Sequence, residues 1–260
     1  MFKQIFSFEK KVLIPYLTAG VPSLDETFSL ACAMIESGAG VLELGVPFSD
    51  PSADGAVLQA AAHEALKNKI NLVQVLGLAE RIHKCHPKVP IVIFTYLNPL
   101  LAIGLGKYVK LATLSGVAAT LTVDLPLEEA GEYLKLHAAS GLKTVFLATP
   151  TTSPERLIQI AKASTGFLYY VSRNGVTGEQ QEISNTLGDE VGAIRKKTEL
   201  PLAIGFGIST PTQVRAVAQY ADAVVIGSAY MRMILETPNA DEREQKVRSF
   251  TLNCVHALES

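Results

Sequence analysis

Eight short apolar runs, separated by amphipathic segments, constrain the fold of this chain more than any other feature. The runs are Val12–Leu17, Val41–Leu44, Ile91–Thr95, Ala118–Val123, Thr144–Ala148, Phe167–Val171, Leu202–Ile204 and Ala223–Ile226. They are rich in Val, Ile and Leu and mostly lack in/out alternation, the pattern of parallel strands covered on both faces. Helical signals fill the gaps. Ser23 and Glu26 have the spacing of a capping box, while Ser153-Pro154 and Thr210-Pro211 each set a capping side chain before a proline. Ser37-Gly38, Ser115-Gly116 and Ser140-Gly141 close three helical segments, each followed within a few residues by a strand. Glycine there supplies a left-handed residue that turns the chain back into the sheet. Repetition of one helix–glycine–strand unit predicts an α/β fold: a single (β/α)8 TIM-barrel domain over residues 1–260. An extra N-terminal turn and a C-terminal helix over Asp241–Leu258 would pack on it, the helix through Val247, Phe250, Leu252, Val255 and Leu258.

The rival architecture is an open doubly wound sheet. It usually needs fewer strands, and no GxGxxG follows the first run, where Thr18-Ala19-Gly20-Val21-Pro22 reads as a plain turn.

Composition narrows the function classes. With 48% hydrophobic and 18% charged residues the chain can bury a large core, so disorder is not expected. A net charge of −2 without a run of Lys or Arg argues against nucleic acid as a partner. No stretch reaches the roughly 18 apolar residues of a membrane span. Cys32, Cys85 and Cys254 are odd in number and far apart, as reduced thiols of a cytoplasmic protein would be. His83, Lys84, Cys85 and His86 imitate a ligand cluster, but they sit at a helix end before Pro87, so no metal site is expected.

In barrels of this kind the loops after the strands carry the active site. After the second run, Glu43 is an acid inside an apolar strand. An ionised carboxylate is costly to bury without a partner, so its pKa should rise toward values useful for proton transfer. The alternative is a structural pairing with a neighbouring strand. Asp54 follows in a polar, Pro-rich loop, either as a second functional carboxylate or as the N-cap of a helix through Val57–Leu66. Asp50, in Ser-Asp-Pro, reads as a turn initiator, and Asp124 as a loop anchor in preference to a residue that orients the loop of Asp54.

A second constellation is rich in glycine. Arg173-Asn174-Gly175-Val176-Thr177-Gly178 follows the sixth run, Gly205-Phe206-Gly207 the seventh, and Gly227-Ser228-Ala229 the eighth. Bare backbone amides and a helix starting at Gly227-Ser228 suit an anion, and the loops after strands seven and eight are the recurrent phosphate site of this fold. Tight strand-to-helix turns are the alternative. Tyr16, Tyr96 and Tyr169, at or within strands, would suit a flat aromatic substrate.

Leu42 through Gly55 resembles the signature E-L-G-V-P-F-S-D-P-L-A-D-G-P of the tryptophan synthase alpha chain family. Tyr96-Leu97-Asn98-Pro99, Asp124-Leu125-Pro126, Ser172 through Gly178 and Gly205-Phe206-Gly207-Ile208 resemble its other segments in order and spacing. The resemblance spans nearly the whole chain. It implies a lyase that cleaves indole-3-glycerol phosphate to indole and glyceraldehyde 3-phosphate in tryptophan biosynthesis. Glu43 matches the family's acid/base and Asp54 the carboxylate that accepts the indole N–H. Thr177 matches a residue that closes over substrate and helps place Asp54, Gly178, Gly207, Gly227 and Ser228 fall where the family binds phosphate, and Tyr169 matches a ring near the carboxylates; Tyr96 is a further candidate substrate contact, with core packing as the alternative for each ring. The resemblance also implies a tryptophan synthase beta chain as partner in a heterotetramer of two alpha and two beta chains. Pyridoxal phosphate belongs to that partner, and this chain should need no cofactor.

Ser52 and Ala56 depart from the family's usual Leu and Pro. Both flank Asp54 in the loop that faces the partner in the family, and Ala56 lacks the fixed φ of proline. Two other functions compete. A sugar-phosphate isomerase would carry an acid or Cys on strand one, which Tyr16-Leu17-Thr18 does not offer. A non-catalytic barrel that only activates a beta chain would not need Glu43, Asp54 and both glycine loops.

Overall fold

The computed structural model describes residues 2–6, 11–171, 186–205 and 207–259. Its strands are β1 Val12–Thr18, β2 Leu42–Gly45, β3 Ile91–Thr95, β4 Val117–Thr122, β5 Lys143–Ala148, β6 Leu168–Val171, β7 Leu202–Gly205 and β8 Ala223–Ile226. All pair in parallel, in sequence order, and β8 closes on β1 through Val12↔Ala223 to Pro15↔Ile226. The expected barrel is the observed one, and an open sheet is excluded by that closure.

The helices are α1 Phe2–Ile5, α2 Leu24–Glu36, α3 Ala56–Lys67, α4 Leu72–Cys85, α5 Leu97–Ile103, α6 Leu105–Leu114, α7 Gly131–Ser140, α8 Pro154–Ala163, α9 Leu187–Arg195, α10 Pro211–Ala218, α11 Ser228–Glu236 and α12 Ala240–Glu259. Local chemistry sets several of their ends. Ser153 accepts the Arg156 amide, and Thr210 and Gln213 form a reciprocal capping box before Pro211. Gly38, Gly116 and Gly141 take φ of 102°, 73° and 76°, the left-handed region expected of them. The capping box at Ser23 is only half built. Ser23 accepts the Glu26 amide at 3.1 Å, but the Glu26 carboxylate pairs with Arg243 of α12. Arg243 is buried and needs a counter-charge, and this tertiary demand takes the side chain that the local motif would have used.

Alternate strand residues point inward. The lower interior packs Val12, Ile14, Val41 and Phe167, and α1 sets Phe2 and Phe6 against Phe167 with ring centroids 5.8 and 5.6 Å apart. The outer faces of the strands meet the helices in a second cluster. α12 lies outside against α2, α10 and α11, as expected, with Val247 buried and Phe250, Val255 and Leu258 packed against the core, and only Leu252 departs from the expected face. Its buried face runs through Arg243, Val247, Thr251, Cys254 and Ala257, whereas Leu252 is 44% exposed. Thr251 belongs to the stripe, and the next residue of a helix is rotated about 100° away from it.

Candidate active site

The site begins with strand register. Tyr16, Glu43 and Val92 are side-by-side partners on β1, β2 and β3, so all three project into the barrel at one level. Glu43 is 1% exposed, and its Oε1 has no hydrogen-bond partner. Burial pushes its carboxyl up to about 8, and the nearby Asp54 carboxylate adds to the rise. The structural alternative, a strand acid neutralised by an ion pair, does not hold: no salt bridge to Glu43 is present among the described residues. At neutral pH it holds a proton.

Asp54 approaches from the β2–α3 loop. It is not a helix cap. Gly55 occupies the N-cap position of α3 without a capping side chain, and Asp54 is itself buried. Burial lifts its carboxyl to about 6, and a hydrogen bond from the Tyr96 hydroxyl holds the rise down. The two acids therefore sit on opposite sides of neutrality, which allows them different tasks. Asp50 is exposed and accepts the Ser49 hydroxyl, as a turn residue does. Asp124 anchors a loop, its Oδ1 accepting the Leu97 amide at 2.7 Å.

The two carboxylates line a cavity at the top of the barrel. Tyr16, Tyr169, Gly207, Gly227 and Ser228 line it with them. Each tyrosine fits over a glycine of the next strand. A methyl group at Gly45 would lie 2.0 Å from the Tyr16 hydroxyl oxygen, and one at Gly205 2.4 Å from that of Tyr169. Only a missing Cβ lets the rings lie so flat against the wall. Gly207 has φ 76°, and α11 starts at Ser228 with no side chain capping its first turn. Those amides and the positive end of the helix face the cavity.

The structure thus brings together Glu43, Asp54, Tyr169, Gly207, Gly227 and Ser228. Tyr96 differs. Its hydroxyl accepts the Ala53 amide at 3.0 Å and bonds the Asp54 carboxylate, and its ring stacks on Phe48, so it stands behind Asp54 rather than on the cavity wall. Thr177 and Gly178 lie outside the described residues. The apolar walls, Phe94, Val123, Leu147 and Val225, were not singled out from sequence. An inward-facing period of two along each strand marks them, but nothing local separates them from core.

A closed parallel barrel with two buried acids, one on β2 and one in the loop after it, lining one cavity with a helix N-terminus, defines a (β/α)8-barrel enzyme. Comparison with known proteins gives the particular family. The profile of the family described as "Tryptophan synthase alpha chain" matches residues 2–259. The tryptophan synthase alpha chain of Solibacter usitatus is 44% identical over 242 residues, covering 93% of this chain and 90% of that one. That of Xylella fastidiosa is 38% identical and covers 100% of this chain and 97% of its own. Among solved structures, tryptophan synthase subunit alpha from Legionella pneumophila superposes with a TM-score of 0.89 at 34% identity, covering 99% and 96% of the two chains. A Mycobacterium tuberculosis tryptophan synthase structure gives 0.90 at 29% identity, covering 100% and 96%. The chain belongs to the tryptophan synthase alpha chain family.

Proposed function

We propose that this chain cleaves indole-3-glycerol phosphate by a retro-aldol reaction, with Glu43 moving the protons and Asp54 holding the indole nitrogen. One observation carries the assignment: Glu43 is buried, keeps an unpartnered oxygen, and lines the same cavity as Asp54, where burial raises both carboxyls. A buried polar atom without a partner is expensive, and a substrate proton or ring carbon is what would meet it.

The reaction balances with these two groups. Protonated Glu43 delivers its proton to indole C3, and the positive charge that develops on the ring is stabilised by Asp54, which accepts the indole N–H. Glu43, now a carboxylate, removes the proton from the hydroxyl on the side-chain carbon bonded to the ring. The carbon–carbon bond breaks, its electron pair returns to the indole, and the hydroxyl carbon becomes the aldehyde of glyceraldehyde 3-phosphate. Glu43 ends protonated, ready for the next turn. Gly207, Gly227 and Ser228 hold the phosphate with backbone amides and the α11 dipole, and Tyr16 and Tyr169 flank the ring.

No step needs a cofactor in this chain. Its partner would be a tryptophan synthase beta chain carrying pyridoxal phosphate, in a heterotetramer of two alpha and two beta chains, receiving the indole in the cytoplasm. Among the described residues no helix is long and apolar enough to cross a membrane. The test is indole release from indole-3-glycerol phosphate, with and without the beta chain. Glu43→Gln should lower the rate by about 10²–10⁴, the usual worth of a positioned proton donor. Equal rates for the variant and the unaltered chain would overturn the assignment and favour a barrel that only activates its partner.

A further inference from the structure

We propose that Tyr96 is a positioning residue that acts on the reaction through Asp54, with Asp124 fixing it from behind. The proposal rests on the reading of Asp54 as the group that holds the indole nitrogen.

The hydroxyl of Tyr96 has one proton and one well-placed acceptor side. The Ala53 amide, 3.0 Å away, occupies the acceptor side, which leaves the proton for the Asp54 carboxylate. The backbone of Asp54 is held separately, its amide by the Pro51 carbonyl at 3.0 Å and its carbonyl by Gln59 Nε2 at 2.7 Å. Among the described residues, Tyr96 is the side chain that bonds the Asp54 carboxylate. The ring cannot slide, because Phe48 stacks on it at 5.1 Å from the strand side of the same loop. The main chain after Tyr96 is pinned where the Leu97 amide meets Asp124 at 2.7 Å. Three loops, after β2, β3 and β4, are tied into one support, and Asp54 is the carboxylate it presents to the cavity. Tyr96 is 2% exposed and does not line that cavity, so a direct hold on substrate would need the support to come apart.

The titratable groups that bear on this support are Glu43 on β2, Tyr16 on β1, Tyr96 and Asp124. Asp54 raises the Tyr16, Glu43 and Tyr96 groups around it, and Tyr96 alone among them lowers Asp54. Losing the Tyr96 proton would therefore move Asp54 upward, toward its neutral form.

Tyr96→Phe keeps the ring and its stack and removes only the hydroxyl. With the beta chain present, kcat should fall about tenfold, the scale of one hydrogen bond to a charged group, with KM changed by less than about twofold. The acid limb of the kcat–pH profile should move to higher pH. A carboxyl-¹³C NMR titration of Asp54, in the Glu43→Gln background with and without Tyr96→Phe, reads the same shift without activity. A rise in KM alone, with the acid limb and the NMR midpoint unmoved, would make Tyr96 a substrate contact and overturn the proposal. Asp54→Asn separates the two readings. Full turnover in that variant sinks the role of Asp54 itself, while the NMR midpoint still decides whether Tyr96 governs its carboxylate.

Discussion

The two ends of the barrel are built on opposite rules. At the lower end Phe2, Phe6 and Phe167 close the interior with aromatic contacts, and Phe167 is fully buried. Nothing in that cluster is charged, and every buried atom gains from being there. At the upper end the same barrel interior holds Glu43 with an unpartnered oxygen, Asp54 lifted out of the usual carboxylate range, and an open cavity. Each of those features costs stability. The comparison teaches that the lower layers hold the fold together while the top layer is kept ready for a ligand at the fold's expense.

Three substitutions can break or sharpen this contrast. The largest effect is expected at the lower end. Phe167→Ala removes a ring from a fully packed layer and should destabilise the chain by about 3–5 kcal/mol in urea unfolding, with kcat unchanged in whatever fraction stays folded. A comparable loss of kcat would show the two ends to be coupled. The next effect has the opposite sign. Glu43 titrates near 8 in the folded chain against 4.5 unfolded, so the folded state keeps a proton that the unfolded state sheds between those values. The stability associated with that proton is full below about pH 4.5 and is lost as pH rises through 8. Glu43→Gln lacks this loss. It should unfold at higher urea than the unaltered chain at pH 8, by about 4 kcal/mol for roughly 3 units at about 1.4 kcal/mol per unit, and the difference should vanish near pH 4. A destabilised Glu43→Gln at pH 8 would mean that Glu43 is a structural acid after all. The smallest effect is expected at the wall between the two ends. Gly45→Ala drives a methyl to 2.0 Å from the Tyr16 hydroxyl, so the ring must move, costing about 1–3 kcal/mol. Because the Tyr16 ring flanks the proposed indole site, KM for indole-3-glycerol phosphate should rise in the same variant; an unchanged KM would remove Tyr16 from the site.

Much of this was legible in the chain. The runs at Ile91–Thr95 and Ala223–Ile226 are strands with those same ends, because isolated β-branched stretches between turn residues leave little else to form. The proline-led caps at Ser153 and Thr210 form as their spacing requires, since they involve only atoms within one turn. Glu43 stood out because a lone acid in an aliphatic strand is chemically conspicuous. The errors share one cause. Glu26 leaves its capping box for Arg243, a residue 217 positions away, and Leu252 turns out of the core because the stripe of α12 is chosen by α2 and α10. Tyr96 belongs behind Asp54, through bonds between loops that no local pattern announces.

By itself, then, the order of residues determined the strands, the barrel they make and the strand that carries the buried acid. Periodicity, capping and buried charge act over a few residues and can be read along a line. Only the closed barrel decided which side chains share a level with Glu43, which glycines make room for the tyrosines, and which hydroxyl meets the aspartate. Those relations are set by strand register and loop contact between segments far apart in the chain.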